Sequence, residues 1–122
     1  MKIERKREVM DVLEADISGS SFRDVNVADS SFHDVNMSRL VISKANLAGA
    51  TIDDAMMPGS RFHDLNLIGA SFDEVNLANT TIENTNLASV QIRNCKIAGM
   101  CIDGVSVEDM LAAYRASAKG RN

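Results

Sequence analysis

Two histidines, two cysteines and a set of carboxylates are the residues of this 122-residue chain with the most obvious chemical use. His33 precedes Asp34 and His63 precedes Asp64, the pairing of a general base with a carboxylate that orients it. Both dipeptides fall at the same point of a longer repeat, described below. That shared position accounts for their similarity more simply than two catalytic dyads would, and both read as solvated. Cys95 and Cys101 have neither CxxC nor structural-zinc spacing. Ser and Thr are plentiful, but no nucleophile elbow and no phosphate-cradling glycine loop frames them. Gly49, Gly59, Gly69 and Gly99 recur where turns are needed. The expectation is a protein that is not an enzyme, with no catalytic residue, no metal site and no cofactor.

Composition sets what can hold these residues. The chain is 45% hydrophobic and 25% charged, ordinary values for one globular domain. Aromatic residues make up only 4%, with no Trp and one Tyr, so a narrow core of aliphatic side chains is expected. A net charge of −4 argues against direct nucleic-acid binding and against an anionic membrane surface. The first fourteen residues alternate charge and contain no apolar h-region, so a cytoplasmic location is expected.

Every fifth residue from Ile17 to Val107 is apolar: Ile17, Phe22, Val27, Phe32, Met37 and Ile42 begin an unbroken series of nineteen. A second inward-facing position, small or aliphatic, lies two residues before each centre (Ala15, Ser20, Val25, Ser30, Val35). On an α-helix five residues advance about 140°, so the apolar row would spiral round every face. On one continuous strand an odd period would flip successive centres. A very short strand followed by a turn satisfies both rows, and its repetition coils the chain into a solenoid. A ten-residue pattern is superposed, Ser/Thr before Phe/Ile alternating with Asn before Leu/Val/Met, as in SFRDVNVADS and SFDEVNLANT. Like stacks on like only with an even number of units per coil, so four sides and twenty residues per coil fit. Asn26, Asn46, Asn66 and Asn86 then form one vertical ladder of amides.

Units such as Ala-Asn-Leu-Ala-Gly (45–49) and Ala-Ser-Phe-Asp-Glu (70–74) resemble the pentapeptide-repeat family, and the resemblance covers roughly residues 15–107. It implies an all-β fold, a right-handed four-sided parallel β-helix. The six-residue β-helix of many acyltransferases has a period this chain never adopts. Met56 and Lys96 stand where the ladder expects Asn, and Leu40, Leu65 and Met100 are bulky at the small position, which predicts local bulging.

Both ends of such a coil need covering. Residues 3–14 read as a short amphipathic helix, giving an N-terminal capping segment 1–14, a β-helix 15–106 and a C-terminal helix and tail 107–122. Ser106 and Asp109 have capping-box spacing ahead of Met110, Leu111 and Tyr114. That helix either caps its own coil or pairs with a second chain. The resemblance implies pairing, since several family members dimerise through such a segment. These three apolar residues are therefore the candidate dimer interface, and a homodimer is expected.

The four-sided register sorts the outward residues. Asp34, Asp53, Asp54, Asp73 and Glu74 gather on one face, opposed by Arg93, and form the candidate acidic binding face. The opposite face mixes Asp24, Asp64, Glu83 and Asp103 with Arg23, Lys44 and Arg61. The two between are smooth, with Ala28, Ala48, Ile68 and Ala88 on one and Met56, Pro58, Ala78 and Ala98 on the other. A non-catalytic module that binds a protein partner is the leading expectation. The alternative, implied by the resemblance, is a DNA mimic that binds a type II topoisomerase and inhibits or protects it.

Overall fold

The computed structural model describes residues 10–119. Eleven short strands and one helix follow in order: β1 (Asp11–Leu13), β2 (Ser21–Arg23), β3 (Ser31–Asn36), β4 (Val41–Asn46), β5 (Thr51–Met56), β6 (Arg61–Asn66), β7 (Ser71–Asp73), β8 (Thr81–Glu83), β9 (Gln91–Arg93), β10 (Cys101–Ile102), β11 (Val105–Ser106) and α1 (Val107–Lys119). One sheet stacks β1-β3-β5-β7-β9, and the other stacks β2-β4-β6-β8-β10 before β11. Each parallel pair advances by twenty residues, so Phe22 lies opposite Ile42 and Ile42 opposite Phe62. Four five-residue units therefore make one coil, and the molecule is a four-sided parallel β-solenoid of about 5 turns.

Two kinds of corner alternate along the chain, and they explain the ten-residue pattern. After each Ser/Thr-Phe/Ile strand the backbone turns through a left-handed residue that is not glycine, such as Asp34 (φ 53), Lys44 (φ 50) or Asp54 (φ 49). After each Asn unit the corner has the hydrogen bond and dihedrals of a type II turn. The Ala50 amide donates to the Leu47 carbonyl at 3.0 Å, across Gly49 at φ 71.

The asparagines serve these second corners. The rows stack as expected, with Asn26 opposite Asn46 and Asn66 opposite both Asn46 and Asn86. Their side-chain oxygens, however, turn back into their own coil. Asn46 Oδ1 accepts from the Ala48 amide at 3.0 Å, Asn66 Oδ1 from Ile68 at 3.1 Å and Asn86 Oδ1 from Ala88 at 3.0 Å. The expected amide ladder is thus a column of Asx caps. Met56 now has a reason: the residue two places on is Pro58, which has no N–H to cap.

The core is one narrow column. Val27, Phe32, Met37, Ile42, Leu47, Ile52, Met57, Phe62, Leu67, Phe72, Leu77 and Ile82 are all buried, while Ile17, Phe22, Leu87, Ile92, Ile97 and Ile102 are half-buried towards the open ends. No bulge appears at the bulky small positions. Leu40, Leu65 and Met100 are buried in unbroken register, because each sits between smaller side chains of the same column or beside one: Leu40 between Ser20 and Ser60, Leu65 between Ala45 and Thr85, Met100 beside Thr80. Large alternates with small up the stack, as close packing of layers requires. Two of the three buried hydroxyls are tied to the coil before them, Ser60 Oγ donating to the Met37 carbonyl at 3.2 Å and Thr80 Oγ1 to Met57 at 3.1 Å, while Ser30 Oγ finds no partner among the described residues.

The ends differ from expectation. The helix expected over residues 3–14 gives way, in its described part, to strand β1, with Val12 opposite Phe32. Val12 lies five residues before Ile17 and Met10 two before Val12, so both continue the repeat. Pairing with β3 outweighs an apolar spacing that suits a helix equally well. Residues 3–9 of that expectation lie outside the described residues. At the other end Val107 is not a nineteenth strand centre. An Asp103-Gly104 turn with positive φ at both residues (50 and 78) folds β11 antiparallel onto β10, and Val107 opens α1. The Asp109 amide donates to Ser106 Oγ at 3.2 Å, the expected cap, and the Gly99 amide donates to Glu108 Oε1 at 3.2 Å.

Candidate functional site

Strands β3, β5, β7 and β9 build the acidic face from two adjacent columns. His33, Asp53, Asp73 and Arg93 are successive register partners on one. Asp34, Asp54, Glu74 and Asn94 occupy the left-handed corners beside them, at φ 53, 49, 56 and 55. The five candidate acidic residues therefore do share a face, and the rungs bring their charges close. A carboxyl–carboxylate hydrogen bond to Asp54, then the charges of Asp54, Asp73 and Asp53, holds the Glu74 carboxyl above its usual range. Asn94 Nδ2 donates to Asp73 Oδ1 at 3.1 Å.

His33 belongs to this face as well. Its Nδ1 lies 3.3 Å from Asp53 Oδ2, on the next coil, and not against the adjacent Asp34. Together with Asp54 these form a group whose ligand atoms all lie within 4.8 Å of one another. From sequence His33 is expected only to be solvated. The signal that finds it is an offset of twenty: a histidine on one rung, followed on the next by two successive carboxylates, Asp53 and Asp54.

The opposite face carries the second histidine, whose Nδ1 is 3.0 Å from Asp64 Oδ2. His63 and Asp64 are exposed, as are Arg23 and Asp24, paired at 3.8 Å. Exposed pairs of this kind contribute little to stability, about 0–1 kcal/mol each. Where this face meets the asparagine column, Asp24, Lys44, Asp64 and Asn84 line a shallow trough. On the smooth faces Met56 and Ile68 stand out, 50% and 42% exposed.

The thiols are free, and both are half-buried. Cys95 faces inward and packs against the core, its Sγ 3.1 Å from the Arg93 carbonyl, and burial pushes its thiol up. Of the candidate dimer residues, Met110 and Tyr114 are 38% and 69% exposed and Leu111 is half-buried. No helix among the described residues is long and apolar enough to cross a membrane.

The family model for pentapeptide repeats matches residues 60–99 and 70–109, with eight copies. A comparison with curated proteins finds no match. Among solved structures, HetL, a pentapeptide repeat protein involved in heterocyst differentiation regulation in the cyanobacterium Nostoc, is 16% identical, with a TM-score of 0.42 over 79% of this chain and 48% of HetL. The chain thus spans about half of HetL's length. A pentapeptide repeat protein of the Arabidopsis thaliana thylakoid lumen is 24% identical, with a TM-score of 0.49 over 85% of this chain and 76% of that one. The repeat found in the sequence, the twenty-residue register of the coils and the family match converge, and the chain belongs to the pentapeptide-repeat family.

Proposed function

We propose that this pentapeptide-repeat protein is a non-catalytic module of the cytoplasm that binds a protein partner through its acidic face. The observation that supports this is the segregation of charge. Asp34, Asp53, Asp54, Asp73 and Glu74 stand on one flat face held by a rigid ladder, and among the described residues Arg93 is the one arginine or lysine on it. A flat array of like charge steers and orients a basic protein surface. The partner is then a protein with a complementary basic patch. Capture of cell extract on the immobilised chain tests this, beside a chain carrying Asp53→Lys and Asp73→Lys. The expected result is a saturable partner retained by the first and released by the second. A partner held equally by both would move the binding surface elsewhere.

The same face favours one narrower reading, a DNA mimic directed at a type II topoisomerase, because a row of carboxylates at strand spacing presents charge to a basic groove. The solenoid is about 23 Å long at about 4.8 Å per coil, so this role needs the length doubled by a homodimer. A supercoiling assay with purified DNA gyrase separates the two readings. Inhibition or protection that the charge reversal abolishes supports the mimic, and an unaffected enzyme leaves the binding module.

A further inference from the structure

We propose that His33, Asp53 and Asp54 form a surface site for one divalent transition-metal ion of the zinc class. The three residues offer an imidazole nitrogen and two carboxylate oxygens, with donor atoms all within 4.8 Å of one another. Zinc bonds to these donors at about 2.0–2.2 Å, and a tetrahedral ion therefore holds its ligand atoms about 3.3–3.6 Å apart. His33 Nδ1 and Asp53 Oδ2 already stand 3.3 Å apart. Only Asp54, an exposed side chain free to rotate, must close further.

The backbone explains why three donors converge here. His33 and Asp53 are register partners on β3 and β5, so their side chains leave the same face of adjacent rungs. In a continuous strand Asp54 would point the opposite way from Asp53. The left-handed corner at Asp54 (φ 49) removes that alternation and brings the second carboxylate beside the first. A nitrogen with two oxygens suits zinc, cobalt or nickel; calcium and magnesium prefer oxygens alone and more of them. Three protein ligands leave the fourth position to water.

The opposite face supplies an internal comparison. His63 occupies the same point of the repeat, and the next rung places Glu83 opposite it. Asn84 stands at the corner that Asp54 occupies on the acidic face. Among the described residues only Asp64, on its own rung, pairs with the His63 imidazole, and no third ligand atom joins them.

Isothermal titration of the full chain with zinc chloride, free of chelators, tests the site. One saturable equivalent is expected, weakened at least tenfold by His33→Ala and by Asp53→Asn and unchanged by His63→Ala. Magnesium and calcium chloride are expected to give no saturable heat. Circular dichroism confirms that each variant keeps its fold, and Asp54→Asn serves as a third probe if either principal variant does not. The His33 imidazole nitrogen resonances are expected to shift on zinc addition while those of His63 stay in place. Absence of saturable zinc binding, equal loss in the His33 and His63 variants, or no loss in the His33 variant would overturn the proposal. Because the titration contains no partner protein, its failure and that of the partner-binding reading are distinguishable.

Discussion

A side chain's direction matters more in this fold than its place along the chain, and Leu67 and Ala88 show how much. Leu67, a unit centre, is 1% exposed inside the column, whereas Ala88 sits one position past a centre and is exposed. Leu67→Asp places an unpaired carboxylate among aliphatic side chains and should cost more than about 4 kcal/mol, enough to abolish a cooperative melt. Ala88→Asp meets only water and should change stability by no more than about 0.5 kcal/mol. Thermal melts followed by circular dichroism compare the two, and equal losses would contradict the inward and outward assignment. The cysteines extend the same logic to reactivity. Both are half-buried, and the contrast lies in what they touch. Burial raises the Cys95 thiol, which packs on the core, so less thiolate is present at neutral pH. A thiol reagent should label Cys101 several-fold faster in the folded protein, with the rates converging in denaturant. Equal native rates would show that the Cys95 side is open to solvent.

At the scale of the strand and its corner, what was legible in the sequence depended on whether a contact follows the period. The centres and the small positions recur every five residues because each must face one column, and a period is visible in a single chain. Phe22 above Ile42 followed from the ten-residue alternation alone. The asparagine caps were not legible, since stacking and capping both require Asn at the same place, and only geometry shows which the side chain adopts. The Asp103-Gly104 hairpin was legible, but the apolar spacing that runs on to Val107 masked it. Capping gives a prediction specific to the corner. Asn66→Ala removes the acceptor of the Ile68 amide and should destabilise by about 1 kcal/mol. Lys96→Asn restores an acceptor two residues before the Ala98 amide and should recover a similar amount. Met56→Asn should gain nothing, because Pro58 offers no donor. Urea unfolding of the three variants measures this. A gain at residue 56 equal to that at residue 96 would mean that asparagines stabilise by stacking between coils after all.

Among the described residues, the C-terminal end of the stack carries no lid of its own size. Sheet β1-β3-β5-β7-β9 finishes on β9 with Ile92 and Ile97 half-exposed, and α1 touches mainly β11, the strand it leaves. Val107 reaches the core, but Met110 and Tyr114 remain on the outer side of the helix. Two of the helix's apolar residues, Met110 and Tyr114, thus contribute nothing to a cap over its own coil. An unpaired sheet edge beside it also invites uncontrolled pairing unless something covers it. A second copy, related by a two-fold axis, covers both at once, because an isologous contact places the same patch on each side and closes without forming a fibre. The protein is therefore expected to be a homodimer through its C-terminal end, with twice the mass of the chain by light scattering at micromolar concentration. Met110→Glu with Tyr114→Glu should halve that mass and leave the β-helix spectrum intact, since neither side chain belongs to the core. A wild-type chain that scatters as a monomer, or a double variant that stays paired, would return α1 to a simple appendage of the last coil. The acidic face would then be a single short prism, too short for the groove of a topoisomerase and suited only to a small basic partner.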